Sequence, residues 1–169
     1  MGIALYTYTA DGLPTVETYP NGTQVIRNYD AAGRLTSLTH RRTSDGSTII
    51  GYTAEYDDAG RLTQVIEQPS GDVTTFAYDA AGRLLSETRA GVRSYTGIYS
   101  YDSRGLRTFA RRTEGGVLRH EGTYTYDAAD RLTEVADWSS GLTTYGYDAA
   151  GQLTEMVLPN GITSTYGYD

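Results

Sequence analysis

Six aspartates, Asp30, Asp57, Asp79, Asp102, Asp127 and Asp148, each follow a tyrosine directly. A ladder of carboxylates in turns could hold calcium, a hard cation that takes oxygen ligands. The spacing lacks the glycine-aspartate nonapeptide of calcium-binding β-rolls. Turn capping is the simpler reading, because an aspartate side chain accepts backbone N–H groups of its own turn. Four of these aspartates have arginine four residues on, Arg34, Arg61, Arg83 and Arg131. Placed across a hairpin base, each would form an exposed ion pair worth ~0–1 kcal/mol.

Aromatic chemistry is the second candidate. Tyr6/Tyr8, Tyr99/Tyr101, Tyr124/Tyr126, Tyr145/Tyr147 and Tyr166/Tyr168 are separated by two residues, which puts each pair on one face of a strand. Such pairs could stack on sugar rings, with Tyr99, Tyr101 and the lone Trp138 as carbohydrate contacts; the alternative is ladder packing between strands. His40 and His120 have no carboxylate or cysteine at ligand spacing, so a metal site or a Ser-His-Asp triad would need residues from outside the repeated motif. Arg41-Arg42, Arg111-Arg112 and Arg119 could meet an acidic glycan or another subunit, but charge on strands also guards sheet edges. The glycines recur with hairpins rather than between a strand and a helix, so none forms a phosphate loop. No catalytic residue, metal ligand or cofactor is assigned.

What must position these residues is a repeat. Tyr-Asp-x-x-Gly-x-Leu occurs at Tyr29, Tyr56, Tyr78 and Tyr147, with degenerate copies at Tyr8, Tyr101 and Tyr126 and a truncated one at Tyr168-Asp169. Successive anchors lie 21, 27, 22, 23, 25, 21 and 21 residues apart. The motif residues are Tyr29, Asp30, Gly33, Arg34 and Leu35; Tyr56, Asp57 and Gly60; Tyr78, Asp79 and Gly82; Tyr126 and Asp127; and Tyr147, Asp148 and Gly151. Asp130 replaces the glycine in one copy, and aspartate tolerates a left-handed backbone. A second glycine lies about two-thirds through each period, so each period predicts two strands and two turns. The first turn, as in Asp148-Ala149-Ala150-Gly151, suits a type I turn closed by a G1 bulge. The second, a dipeptide at Asn21-Gly22, Asp45-Gly46, Ala90-Gly91, Gly115-Gly116, Ser140-Gly141 and Asn160-Gly161, reads as a two-residue type I′ turn. With Tyr29 opposite Leu35 and Tyr147 opposite Leu153, odd periods return every anchor to one face. The one even period carries Pro69-Ser70-Gly71, read as a compensating three-residue loop. The 27-residue period lengthens both arms of a hairpin equally, so the strands stay paired.

The expectation is an all-β chain, a continuous antiparallel meander of hairpins over residues 1–169. Sixteen tyrosines, twenty glycines and abundant threonine agree with it. About fourteen strands in one sheet should coil it into a curved sheet, spiral or barrel-like segment, since sheets curl beyond about ten strands. A net charge of −7 excludes the usual polyanion binders, with neither nucleic acid nor membrane insertion expected. The chain has no cysteine. It shows no export segment and no run near the roughly 18 apolar residues of a membrane helix.

Tyr-Asp-Ala-Ala-Gly-Arg-Leu, verbatim at 29–35 and 78–84 with near copies at 56–62, 126–132 and 147–153, resembles the YD-repeat signature of rearrangement-hotspot (Rhs) proteins. The same repeats occur in the B and C components of Tc toxins, in wall-associated proteins and in teneurins. The resemblance implies a structural, non-catalytic segment of a secreted or cell-surface parent whose strands form a shell around a toxin domain. A surface adhesion or carbohydrate-binding module is the other reading. Toxin-bearing members end their shell with Asp-Pro motifs, and this sequence has no Asp-Pro dipeptide. The chain is therefore expected to be a piece of a longer array or a short array. Expected partners are neighbouring repeats or other copies through open sheet edges, a toxin cargo, or a surface glycan.

Overall fold

The computed structural model describes residues 2–169. Among these there is no helix, and the strands follow one another in chain order as an antiparallel meander. By packing the chain divides into two compact units, residues 1–77 with 88–94, and residues 78–87 with 95–169.

The first unit is built on β1 (Leu5–Tyr8), β2 (Pro14–Tyr19), β3 (Thr23–Tyr29), β4 (Leu35–Arg42), β5 (Thr48–Tyr56), β6 (Leu62–Gln68) and β7 (Val73–Tyr78). Tyr29 lies opposite Leu35, as the motif spacing requires, but the next pair is Asn28 with Ser37. Thr36 is therefore an extra residue, a β-bulge that reverses the parity of the strand. The same shift follows the turns at Tyr8 and Tyr56. The second turns compensate. Tyr19 faces Thr23 across the three residues Pro20–Gly22, and only Gly22 of these has positive φ (77°). This is a type I turn with a G1 bulge, not the two-residue type I′ turn expected, which needs positive φ at both central residues. The turn at Asp45-Gly46 spans four residues between Arg42 and Ser47, and that at Pro69-Ser70-Gly71 spans four between Glu67 and Asp72, not three. Each expected loop was short, and the bulge was not foreseen. The three-residue loop at Gly22 offsets the first bulge, and at the Asp45-Gly46 hairpin a second bulge, at Ile49, offsets that at Thr36, so Tyr8, Tyr29 and Tyr56 do share one face.

The second unit carries β8 (Leu84–Ala90, of which Thr88–Ala90 belong to the first unit), β9 (Tyr95–Tyr101), β10 (Arg107–Glu114) and β11 (Val117–Tyr126). It continues with β12 (Leu132–Asp137), β13 (Gly141–Tyr147), β14 (Leu153–Val157) and β15 (Thr163–Thr165). Bulges again follow the turns at Tyr101, Tyr126 and Tyr147. Gly115-Gly116 is the one expected type I′ turn that forms, with φ of 55° and 80° between the paired Glu114 and Val117. Asp130 adopts φ 65°, so the aspartate does hold the glycine's conformation. Tyr101, Tyr126 and Tyr147 share one face.

Burial is shallow everywhere. Among the described residues Ala110 is the sole buried hydrophobic side chain, and no side chain is fully buried. Stability must therefore come from backbone ladders, half-buried cross-strand pairs and the side-chain ties described next.

Candidate functional site: an interrepeat clip

Each anchor turn is assembled in the same way. Asp30 N donates to Arg34 O (3.0 Å) and Gly33 N to Asp30 O (3.0 Å). The Asp30 carboxylate accepts N–H bonds from Ala32 and Arg34 through Oδ1 (both 2.9 Å), and Arg34 Nε donates to its Oδ2 (2.7 Å). Asp79 with Arg83 and Asp127 with Arg131 repeat this arrangement, and Asp57 with Arg61 repeats its arginine contacts. The backbone N–H of Arg34 is the main reason that Asp30 stays below the usual carboxylate range, and the same holds for Asp57, Asp79 and Asp127 with their own arginines. The aspartates thus cap turns, and their oxygens face N–H donors.

The tyrosines do something the spacing did not disclose. The Tyr56 hydroxyl donates to Leu35 O (2.9 Å), the carbonyl just before the bulge residue of the preceding hairpin. Tyr29 reaches Pro14 O, Tyr101 reaches Leu84 O, Tyr126 reaches Arg107 O, Tyr147 reaches Leu132 O and Tyr168 reaches Leu153 O, all at 2.8–3.0 Å. In every case the acceptor lies six residues after the preceding anchor tyrosine. Each of these six tyrosines is therefore tied to the repeat before it.

The motif arginine completes the tie. While Arg34 Nε holds its own Asp30, its guanidinium lies 4.7 Å over the Tyr56 ring of the next repeat. Arg83 lies over Tyr101 (5.0 Å) and Arg131 over Tyr147 (4.7 Å). Arg83 and Arg131 also donate through Nη1 to Asp102 O (2.9 Å) and Asp148 O (3.2 Å) of the following turn. The glycine of that turn gives the guanidinium room, since a Cβ at Gly60 would stand 3.4 Å from Arg34 Nη1. The degenerate copy at Tyr101 has Leu106 at the arginine position, and Arg104 substitutes from two residues earlier. It contacts Asp102 Oδ2 (3.1 Å), Asp127 O (2.8 Å) and Asp130.

The candidate sugar contacts are placed differently. Tyr101 is clipped to Leu84 O beneath Arg83, and the half-buried Tyr99 donates to Glu87 (3.0 Å). Burial first, then Glu87, raises the Tyr99 phenol above its ordinary value. Trp138 is exposed at the β12–β13 turn and lines a different cleft from Tyr99, so the three are not brought together. Two clusters were not read from the sequence. Asp137 comes to His120 Nδ1 (3.2 Å), whose Nε2 meets the Tyr124 hydroxyl (3.3 Å). Asp137 is held well below the carboxylate range by the Ser139 hydroxyl, with both N–H groups of Ser139 and Ser140 adding to it. These serines bond the aspartate and not the histidine, which is no nucleophile-base arrangement. The second cluster is the buried Asp72, which meets Arg89 (2.8 Å) and Val92 N (3.1 Å), with Glu67 also on Arg89 (2.7 Å). In neither cluster does short spacing join carboxylate to cation: Asp137 ends β12 while His120 lies on β11, and Arg89 reaches Glu67 and Asp72 from β8.

The RHS Repeat family model matches residues 8–48, 56–91, 139–163 and 147–169. The chain belongs to the RHS repeat family. Among solved structures this RHS repeat array resembles a Tc holotoxin pore of Photorhabdus luminescens, with a TM-score of 0.65 and 15% identity over 97% of this chain and 12% of that one. It also resembles a TcdB2-TccC3-TEV structure, with a TM-score of 0.65 and 18% identity over 92% and 10% of the two chains. At such identities the likeness establishes the fold, and the array spans about a tenth of the length of those chains. No curated protein sequence matches it.

Proposed function

We propose that the 169 residues are one structural repeat array of a longer, secreted or surface-exposed protein, whose repeats together form a β-shell that encapsulates or displays a toxin domain. The observation that carries this reading is the clip. The recurring groups that could have done chemistry are engaged in tying one hairpin to the next, through the hydroxyl of the anchor tyrosine and the guanidinium of the arginine before it. An active or ligand site concentrates unusual groups at one place in a concave pocket. Here the same groups recur along the chain. The near absence of buried side chains fits a sheet whose face is completed by something else, and likeness in fold to Tc toxin chains supports a shell.

The test uses the full-length parent. Its toxin segment should resist protease while the array is intact and become sensitive when Tyr56, Tyr101, Tyr126 and Tyr147 are changed together to phenylalanine. A toxin segment cleaved equally fast in both proteins would defeat the reading.

A further inference from the structure

The clip of the last complete repeat lacks its cation. Position 152, where the repeats at Tyr29, Tyr78 and Tyr126 carry arginine, is an exposed glutamine. The receiving groups all remain. Asp148 keeps its turn, with Oδ1 accepting N–H bonds from Ala150 (2.9 Å) and Gln152 (2.8 Å), and among the described residues no arginine meets its carboxylate. Tyr168 is locked in the usual place by its hydroxyl on Leu153 O (2.9 Å), and the residue is 52% exposed.

The other two departures from the motif show that the chain does not leave such a receiver idle. Around Tyr8 the arginine is replaced by Leu13, and the aspartate is lost with it, to Thr9. Leucine then packs where the guanidinium would be, with Cδ1 3.6 Å from a Cβ built on Gly33. Around Tyr101 the aspartate stays and a displaced arginine, Arg104, serves it. Only the repeat at Tyr147 keeps carboxylate and ring while offering no cation, for Ala150 stands at the position equivalent to Arg104.

We infer that Asp148 and Tyr168, flanked by Gln152, form a receptor for a guanidinium group from outside this chain, the arginine side chain of a partner. Carboxylate and aromatic face are the pair that a planar guanidinium satisfies at once, bidentate hydrogen bonding on one side and stacking on the other, which a compact ammonium does not. The geometry is that of Arg131, which bonds Asp127 (2.7 Å) and stacks on Tyr147 at 4.7 Å. The inference stands on the clip alone and does not require the shell.

Methylguanidinium, at concentrations well below those that unfold proteins, is titrated into tyrosine-labelled protein and followed by NMR, with methylammonium as the comparison cation. The Tyr168 signal should shift saturably with methylguanidinium and about tenfold more weakly with methylammonium, a factor that corresponds to 1.4 kcal/mol. Gln152→Arg, an exposed change that supplies the missing group in cis, should abolish the response, and Asp148→Asn should weaken it about tenfold. Equal responses to both cations, a response that survives in Gln152→Arg, or no saturable shift in the wild type would each overturn the proposal. The other tyrosine signals report whether every variant is folded.

Discussion

Replacing Tyr56 by phenylalanine removes one oxygen and leaves the ring, so it isolates the hydroxyl tie from the stacking. The bond from Tyr56 to Leu35 O is 2.9 Å long and partly buried. A neutral hydrogen bond contributes about 0.5–1.5 kcal/mol net, and water can partly replace it at a half-buried site, which places the loss near 1 kcal/mol. For a chain of this size that is a fall in Tm of about 2–4 °C. In urea the midpoint should drop with the slope unchanged, because no additional surface is exposed. Tyr52 supplies the control. It lies on the same strand and face, is 38% exposed, and makes no hydrogen bond through its hydroxyl among the described residues. Tyr52→Phe should move stability by less than about 0.5 kcal/mol. Tyr56→Leu goes further, removing the ring under Arg34 at 4.7 Å, and should cost roughly another 0.5–1 kcal/mol beyond the phenylalanine variant. Repeat arrays can unfold from one end, so amide exchange of β4 and β5 should accompany the melting curves. Equal losses for Tyr52→Phe and Tyr56→Phe would show that the clip contributes nothing.

Three further outcomes follow from the same geometry. Asp30, Asp57, Asp79 and Asp127 have folded pKa values below the ordinary 3.8, so their contribution is complete above that value and lost as pH falls through the lower folded values. Melting temperature should therefore be flat from about pH 5 upward and decline in acid. Backbone N–H donors lead among the causes, so added salt should leave much of the decline, and a salt-abolished effect would point to the arginines instead. Gly91→Ala would set a Cβ 1.9 Å from the Asp72 carboxylate at φ 132°. It should cost roughly 1–3 kcal/mol more than Gly12→Ala, where φ is 83° but nothing lies within 4 Å; similar urea midpoints for the two would refute the packing argument. The exposed β1, which among the described residues pairs with β2 alone, should self-associate through its free edge. Light scattering should show this and show it reduced by Leu5→Lys, whereas a strict monomer at high concentration would count against it.

Fold class was readable because turn chemistry and period both repeat, and each repetition tests the last. Asp130 was readable too, since a left-handed position accepts few residue types. Loop length was not. Asn21-Gly22 is compatible with either a two-residue type I′ turn or the last two places of a three-residue G1-bulged loop. The choice depends on the bulge at Thr15, which no residue type marks. The clip was half legible: Asp30 and Arg34 are four residues apart and announced their pairing, but Tyr56 and Leu35 are joined only by the register of β4 against β5. Small residues within strands, Gly97 and Gly122, gave a faint signal as Gly-x-Tyr-x-Tyr. A Cβ on Gly97 would stand 2.9 Å from the Tyr99 hydroxyl, and one on Gly122 3.4 Å from the His120 ring. Both glycines make room for a side chain leaning across the strand.

The displaced arginine at Tyr101 allows the strongest test of whether the clip is a unit rather than a collection of contacts. Arg104 approaches from within the turn and not from the residue that precedes the strand, yet its guanidinium reaches both the Asp102 carboxylate and Asp127 O. If the array requires one cation per joint, wherever it is attached, Arg104→Ser alone should cost about 1 kcal/mol, a partly exposed charged bond being worth less than a buried one. Leu106→Arg alone should add little, because the receiver is already occupied. The double change restores the arrangement of the repeat at Tyr78 and should recover most of the loss. The interaction energy of the cycle would then approach the whole cost of the first change, as it does for residues that share one partner. Independent, additive effects would mean that Arg104 and an arginine at the motif position act at unrelated places, and the joint would have to be ascribed to the tyrosine hydroxyl by itself.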